Sequence, residues 1–301
     1  MYNGLFINSN QSAVIAETNL QNTNNQLGQS LNELSSGLKI TGAWVNPAGY
    51  EIAQGLNATG LGISQATANA NNGNSLINIA SGALSTIQGM LGTMQTLATN
   101  AANGTNSTQN LQALESEFSQ LASEITQIAS STSFNGLNLL TGGSGSTIGV
   151  SDFTFQIGTN SDTATSQISV SIQGVAAGLL GLASSGGTII NSSLNNVTLV
   201  GSTTDNTSAL VALSAVQAAI NQVSGISGQL GSYQNRVTQI MANLQTEGTN
   251  TSAAYDNIMD VNFAKQTSQY TLLSTLAQSG EAMLSQASTV NQGLLNLVRA
   301  I

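Results

Sequence analysis

The sequence predicts a mainly α-helical protein of long antiparallel helices, with a terminal coiled-coil domain and an adjacent helical core domain that carries a β-hairpin. Three observations support this fold class. The 301 residues contain a single proline, Pro47, the residue type that most strongly breaks helices. Apolar residues recur at alternating steps of three and four along most of the chain. Strand-like alternation of apolar and polar residues is confined to the middle of the chain.

The first 40 residues or so predict a helix with a coiled-coil heptad. Ala13 starts a series of apolar residues spaced seven apart, and further leucines lie four residues beyond two of its members. The predicted stripe comprises Leu20, Leu27, Leu31, Leu34 and Leu38.

The last 40 residues or so show the same pattern over a longer run. Apolar or small residues alternate at steps of three and four, which keeps one stripe facing a partner helix. These residues are Leu273, Leu276, Gly280, Met283, Ala287, Val290, Leu294, Leu297 and Ile301. We expect the two ends to pack against each other or against copies of themselves. The alternative for either stripe is an ordinary amphipathic helix on a globular core.

The chain between the two ends predicts further helices interrupted by a β-hairpin. Helical periodicity extends over 71–103 and 109–130, separated by a turn, and resumes over 207–248. Alternating residues at 153–157 and 168–172 predict the hairpin, with 158–166 as its loop. Residues 184–207 are polar and rich in turn-forming residues, with a short strand at 197–200 as the remaining candidate.

Composition excludes several function classes. The formal net charge is −9, only 6% of residues are charged, and His and Cys are absent, so the commonest general base and metal ligands are missing. We therefore expect no catalytic, cofactor or metal site. Four basic residues cannot neutralise a run of phosphates, so we expect no nucleic acid partner. They are Lys39, Arg236, Lys265 and Arg299.

Two pairs of carboxylates are candidates for acid–base chemistry by their spacing. Glu115 and Glu117 point to different helix faces, whereas Asp256 and Asp260 share one, and for both pairs we prefer a solvated helix face to acid–base chemistry. The first ten residues do not match a Sec signal peptide. Because no apolar stretch approaches about 20 residues, we expect no membrane span.

Several motifs, in order along the chain, resemble the landmarks of bacterial flagellins. Residues 30–40, SLNELSSGLKI, resemble the signature L-S-S-G-[LK]-[RK]-I that follows a heptad helix. Residues 103–107 resemble A-N-x-T-N, residues 134–136 match F-N-G, and residues 153–158 resemble T-F-Q-[IV]-G. Towards the end of the chain, residues 260–264 resemble D-V-D-F-A, residues 282–287 resemble A-M-L-A-Q-A, and residues 294–299 resemble the terminal L-x-L-[LV]-R. The resemblance covers about residues 1–182 and 208–301.

The resemblance implies a structural protein that polymerises with copies of itself into the extracellular filament used for swimming. Residues 1–45 with 256–301 would form the coiled-coil domain of an inner tube, and 46–183 with 208–255 the helical core domain of an outer tube. The β-hairpin would lie near 152–173, and 184–207 would be a short, outward-facing variable segment. The resemblance further implies unfolded export by the flagellar type III apparatus, and an export chaperone, a filament cap and hook-junction proteins as partners.

The chain departs from the family pattern in two places. Residues 43–49, AWVNPAG, replace a segment that usually resembles A-x-D-D-A-A-G, so the turn joining the two domains is expected to be stiffer. The segment at 91–100 lacks the two arginines and the glutamate of the pattern recognised by animal Toll-like receptor 5. The receptor-like residues are Leu91, Met94, Gln95, Leu97 and Glu117. We expect weak or no receptor activation, although these positions could equally have changed to suit filament packing.

Three alternatives remain at this point. A hook–filament junction protein shares the terminal helices of flagellins and differs in copy number. An enzyme on a flagellin-like scaffold would need a chemical constellation in the central segment. A secreted adhesin would bind a host surface instead of assembling with itself.

Overall fold

The computed structural model describes residues 10–141, 150–160, 162–175, 199 and 207–299, with the side chains of all but 163, 164 and 290–299. Long helices make up most of this part of the chain, as the sequence predicts. The elements are α1 (Gln11–Ser36), α2 (Pro47–Ala101), α3 (Thr108–Ser131), β1 (Ser133–Phe134), β2 (Leu137–Asn138), β3 (Val150–Gln156), α4 (Thr163–Ser166), β4 (Gln167–Gln173), α5 (Thr207–Met259) and α6 (Phe263–Arg299).

Local capping chemistry fixes where the helices begin and end. The Asn10 side chain accepts a hydrogen bond from the Ala13 N–H, which satisfies one of the free donors at the start of α1. Gly37 ends α1 in the left-handed conformation, with φ 73°. Pro47 occupies the first position of α2, where its missing N–H has no cost, and Asn46 caps that helix.

Contacts divide the chain into two compact units. The terminal unit comprises 1–60 and 249–301, and the central unit comprises 61–248. The division falls inside α2 and α5, whereas the sequence predicted domain boundaries near turns, at residues 45 and 256. The assignment of these domains to an inner and an outer tube stays a prediction.

The core of the central unit lies between α2, α3, α5 and the hairpin of β3 and β4. Each of these elements contributes side chains with almost no exposed surface. These side chains include Leu76, Leu84, Leu91, Phe118, Ile125, Ile168, Ile172, Val216, Val223 and Leu230. Burial of so many apolar side chains supplies the main favourable term in the folding of this unit.

The hairpin predicted from the sequence is present. β3 pairs with β4 in antiparallel register, with Phe153 opposite Val170, and Gln156 opposite Gln167 at the loop end. Ile168, Val170 and Ile172 face the core while the serines between them point outward, as the period of two requires. A second, shorter hairpin joins β1 to β2.

Helix α5 is long and apolar enough to cross a membrane by length and composition alone. Many of its apolar side chains, Val216, Val223 and Leu230 among them, are buried in the core of the central unit, so we interpret it as a core helix. The candidate strand at 197–200 and the glycine-rich stretch at 142–145 fall outside the described residues, apart from Leu199. Leu199 is buried in the core of the central unit, although it belongs to the segment that we expected to face outward.

Candidate subunit interface

Helices α1 and α6 of the terminal unit pack antiparallel along a shared face, which we call the terminal seam. Hydrogen bonds mark its length: the Asn10 side chain donates to the Ala287 carbonyl at 2.7 Å, and the Gln266 side chain donates to the Ser30 hydroxyl at 3.0 Å. At the end of α1 the Lys39 N–H donates to the Met259 carbonyl. Helices α1 and α6 therefore pack against each other within one subunit.

Part of the predicted stripe lies in the terminal seam. Leu20, Leu27, Leu34 and Leu38 on the first helix and its end are half-buried, and Leu273 on α6 is buried. Gly280 and Ala287 also lie on this face. A Cβ at Gly280 would lie 3.2 Å from Leu20 Cδ1, so the glycine permits the closest approach of the two helices.

The other part of the predicted stripe lies outside the terminal seam. Leu31, Leu276 and Met283 are 52%, 49% and 64% exposed. On α6 the seam instead uses Ala277, which is buried, and Leu284, which is half-buried. The reason is that apolar residues on α6 form two overlapping series, each with alternating steps of three and four residues, which we call frames. One frame includes Leu276 and Met283, the other includes Ala277 and Leu284, and only one of the two can face α1. Contact of the exposed frame with a neighbouring copy stays a prediction.

The last predicted seam residues lie outside what the structure describes. Val290, Leu294 and Leu297 belong to α6, but their side chains are not among the described ones. Ile301 lies beyond the described residues.

Large exposed apolar side chains are concentrated in the terminal unit. Of fourteen such residues among the described side chains, nine belong to this unit, although it is the smaller of the two. They are Val14, Ile15, Leu31, Trp44, Ile52, Phe263, Leu272, Leu276 and Met283. This concentration in one unit favours an interaction surface there.

Neutral amide groups link α2 and α5 on the surface of the central unit. The Gln234 side chain donates to Asn78 Oδ1 at 3.0 Å, and the Gln95 side chain donates to Gln217 Oε1 at 2.9 Å. A third bond, from Gln88 to the Ser224 hydroxyl, lies between them. The steps along α2 equal the steps back along α5, so these bonds fix an antiparallel register without ion pairs.

The receptor-like segment contributes mostly to the core. Leu91 and Met94 are fully buried and Leu97 is nearly so, so their side chains do not reach the surface of the folded subunit. Gln95 is half-buried and bonded to Gln217, and Glu117 is exposed. Among the five receptor-like residues, only Gln95 and Glu117 offer polar groups that a receptor could contact.

The carboxylate pairs have different surroundings. The Glu115 carboxylate accepts a hydrogen bond from the Leu199 backbone N–H, a contact across 84 residues that has no signature in the local sequence. Asp256 and Asp260 are exposed. Within the described part of the chain, no group of three or more His, Cys, Asp or Glu side chains could hold a metal ion.

Family models match both halves of the chain. The model for the bacterial flagellin N-terminal helical region matches residues 7–144, and the model for the bacterial flagellin C-terminal helical region matches residues 213–298. Together they cover well over half of the sequence.

Full-length relatives agree with the family models. Flagellin FlaB1 of Treponema pallidum (strain Nichols) is 34% identical over 299 residues, which cover 98% of this chain and 100% of the relative. The flagellin of Bacillus subtilis (strain 168) is 35% identical over 305 residues, covering 97% and 99%. A solved structure described as a flagellar hook-associated protein from Vibrio parahaemolyticus has a TM-score of 0.57 at 12% identity, covering 72% of this chain and all of that one, which is a likeness of fold alone.

Proposed function

The chain belongs to the bacterial flagellin family and is a structural subunit of the flagellar filament, and from this premise we propose that its terminal helices carry the contacts between copies. The observation that supports this proposal is the concentration of exposed apolar side chains in the terminal unit. In a filament these side chains would lose contact with water, and each fully buried one would contribute roughly 1.5–3 kcal/mol.

Assembly and ordering of the terminal helices are coupled in this proposal. Ordering a residue costs about 1–2 kcal/mol of backbone entropy, and α1 and α6 are rich in Asn, Gln, Ser and Thr, of which Asn, Ser and Thr have poor helix propensity. The terminal seam buries few large side chains, since Ala277, Gly280 and Ser30 lie in it. Contacts with neighbouring copies would supply the missing stabilisation, and the chain would travel to the growing tip unfolded.

Repeated contacts of one kind produce the polymer. Such a contact joins two different surfaces of identical subunits. Unless the rotation from one subunit to the next closes a ring, repetition of the contact generates an open helical array. Exposed residues of α6 such as Leu276 and Met283 would pack against another face of the next copy. The acidic surface would remain on the outside of the filament.

Truncation of α6 tests this proposal. We expect a chain lacking 273–301 to be secreted and soluble but unable to polymerise. A sharper version is the double variant Leu276→Ser and Met283→Ser, which alters only exposed side chains and should block assembly while the subunit keeps its helix content. The matched control replaces the exposed polar residues Gln278 and Ser285 of the same helix by Ala. Long filaments from the truncated chain, or equal assembly of the two double variants, would contradict the proposal.

Further partners follow from the family membership and remain proposals. The subunit would be extracellular once assembled, after export through the flagellar type III apparatus. An export chaperone would keep it unfolded in the cell, and a filament cap and hook-junction proteins would contact it at the two ends of the filament. We assign it no nucleic acid partner, membrane span or cofactor.

Activation of Toll-like receptor 5 is proposed to be weak or absent. The segment 91–100 carries no arginine and no glutamate, and charge-assisted hydrogen bonds from Arg are among the strongest contacts in interfaces. Since Leu91, Met94 and Leu97 are core residues, Gln95 and Glu117 would have to supply most of the polar contact.

We propose a structural role in place of catalysis, because the family is a structural one. The core of this chain is held together by apolar packing and by hydrogen bonds between side-chain amides. The hook–filament junction alternative is not favoured. The relatives that match over nearly the whole chain at 34–35% identity are named flagellins, whereas the hook-associated likeness is one of fold. A secreted adhesin would be indicated by binding to host surfaces without self-assembly.

A further inference from the structure

The turn between α1 and α2 carries an exposed tryptophan. Trp44 is the only tryptophan in the chain, and 72% of its surface is exposed. A tryptophan this open to water in an isolated subunit is costly to hydrate, and Trp is among the residues most enriched at the energetic centres of protein interfaces.

The indole of Trp44 is held in place. A Cβ at Gly42 would lie only 2.7 Å from Trp44 Nε1, so the ring rests on the bare backbone of Gly42. The turn itself is closed by a hydrogen bond from the Val45 N–H to the Gly42 carbonyl, and Pro47 stiffens its end. A ring that is already positioned loses little conformational entropy when a partner covers it.

A second exposed aromatic residue begins the helix after the neighbouring turn. Phe263, the first residue of α6, is 58% exposed, and its ring lies beside Gly37. The two turns are joined by the bond from the Lys39 N–H to the Met259 carbonyl and by one from the Val261 N–H to the Gly37 carbonyl. Trp44 and Phe263 therefore project from one connected part of the terminal unit.

An open cleft of about 520 Å³ is formed by the same two turns. Its lining includes Val45 and Asn46 from the first turn and Val261 and Asn262 from the second. Lys39 and Lys265, two of only four cations in the chain, also line it. Glu33 and Asp260 line it too, so the cleft as a whole is close to neutral in a subunit whose formal net charge is −9.

We propose that Trp44, supported by Phe263, is an anchor that packs against the terminal unit of a neighbouring copy in the filament. The inference rests on the proposed function, since it needs a filament, and adds to it the residue that fixes the contact. The occupant is a second copy because copies surround each subunit of a filament, and because the exposed apolar side chains that would receive the ring are concentrated in the same unit.

The fluorescence of the single tryptophan gives a direct test. The purified full-length chain is polymerised on seeds of its own sheared filaments, and emission and quenching by acrylamide are compared between subunits and filaments. We expect the emission maximum to shift to the blue and quenching to fall on assembly. Filaments in which the emission and quenching equal those of the subunit would overturn the inference and leave the proposed function standing. Failure of the wild-type chain to form filaments would overturn both.

Variants distinguish a contribution of the Trp44 ring to assembly from an effect on the fold of the subunit. Trp44→Ala should raise the concentration needed for assembly by about tenfold, which corresponds to the loss of a typical interface anchor, and Trp44→Phe should raise it less. Gly42→Ala keeps the tryptophan but displaces its ring, and should also impair assembly. The matched control is Gly55→Ala in the same unit, because a Cβ there meets nothing within 4 Å. Wild-type assembly by the Trp44→Ala and Gly42→Ala variants would contradict the proposal.

Discussion

The carboxylate of Glu115 has a structural use that its sequence context does not reveal. It accepts a hydrogen bond from the backbone N–H of Leu199, whose side chain is buried in the core of the central unit. The neighbouring Glu117 is exposed on another face of α3. Two glutamates that look equivalent in the sequence therefore differ because one of them meets a segment 84 residues away.

We predict that Glu115→Ala lowers the free energy of unfolding of the subunit by about 1–3 kcal/mol, because it leaves a buried backbone donor without its partner. Glu115→Gln should cost less, since its amide oxygen can still accept the bond. Denaturant unfolding of the purified subunit measures both. Glu117→Ala is the control and should stay within about 0.5 kcal/mol of wild type. Equal effects of the two alanine variants would show that the bond does not matter.

At the receptor-like segment we predict low potency in a Toll-like receptor 5 reporter-cell assay. The expected reason is the absence of arginine from 91–100 together with the burial of its apolar side chains. The assay should use depolymerised subunits, so that filament packing does not hide the surface. Half-maximal activation near nanomolar concentration would refute this expectation.

Among the elements, the terminal seam shows what a heptad pattern leaves undecided. The predicted frame of α6 passes through Leu276 and Met283, but the frame that meets α1 passes through Ala277 and Leu284. Both frames have the same 3/4 spacing and share Leu273, so hydrophobic periodicity alone fits either. In the structure the frame with Ala277 faces α1, because small residues allow the two helices to pack closely. The larger side chains of Leu276 and Met283 remain exposed.

We predict that Gly280→Leu disrupts the terminal seam. The new side chain would enter the space next to Leu20, and overpacking of this kind costs about 1–3 kcal/mol. Loss of helical circular dichroism at lower temperature measures the effect. Gly28→Leu on α1 is the matched control, since a Cβ there meets nothing within 4 Å and the higher helix propensity of Leu should stabilise the helix. A Gly280→Leu variant as stable as the control would contradict the described packing.

Other elements differ in how well the sequence predicts them. Regular apolar spacing predicted α3 to within one residue at either end, and alternation predicted the hairpin of β3 and β4. The start of α2 was placed at 71, but the helix begins at Pro47. The part of α2 before residue 71 buries small residues such as Ala53, Ala66 and Ala70, which give a weak periodic signal. The contact between Glu115 and Leu199 depends on tertiary structure and has no local signature.

At the scale of the whole molecule, low charge and exposed apolar surface have one explanation. Side-chain amides link α2 to α5 where ion pairs would be expected in a more charged protein, and large apolar side chains remain uncovered in the terminal unit. Both features suit a subunit whose surface is largely covered by copies of itself. The absence of cysteine from the sequence fits the proposed export of an unfolded chain, because no disulfide could form before assembly.

The most direct measurement of the central claim is electron microscopy of filaments sheared from cells that make this protein, combined with quantification of the chain in them. We predict long filaments in which this chain is the repeating subunit, present in thousands of copies, with the terminal helices in the innermost layer. Filaments built from another protein, with this chain limited to a few dozen copies beside the hook, would contradict the account.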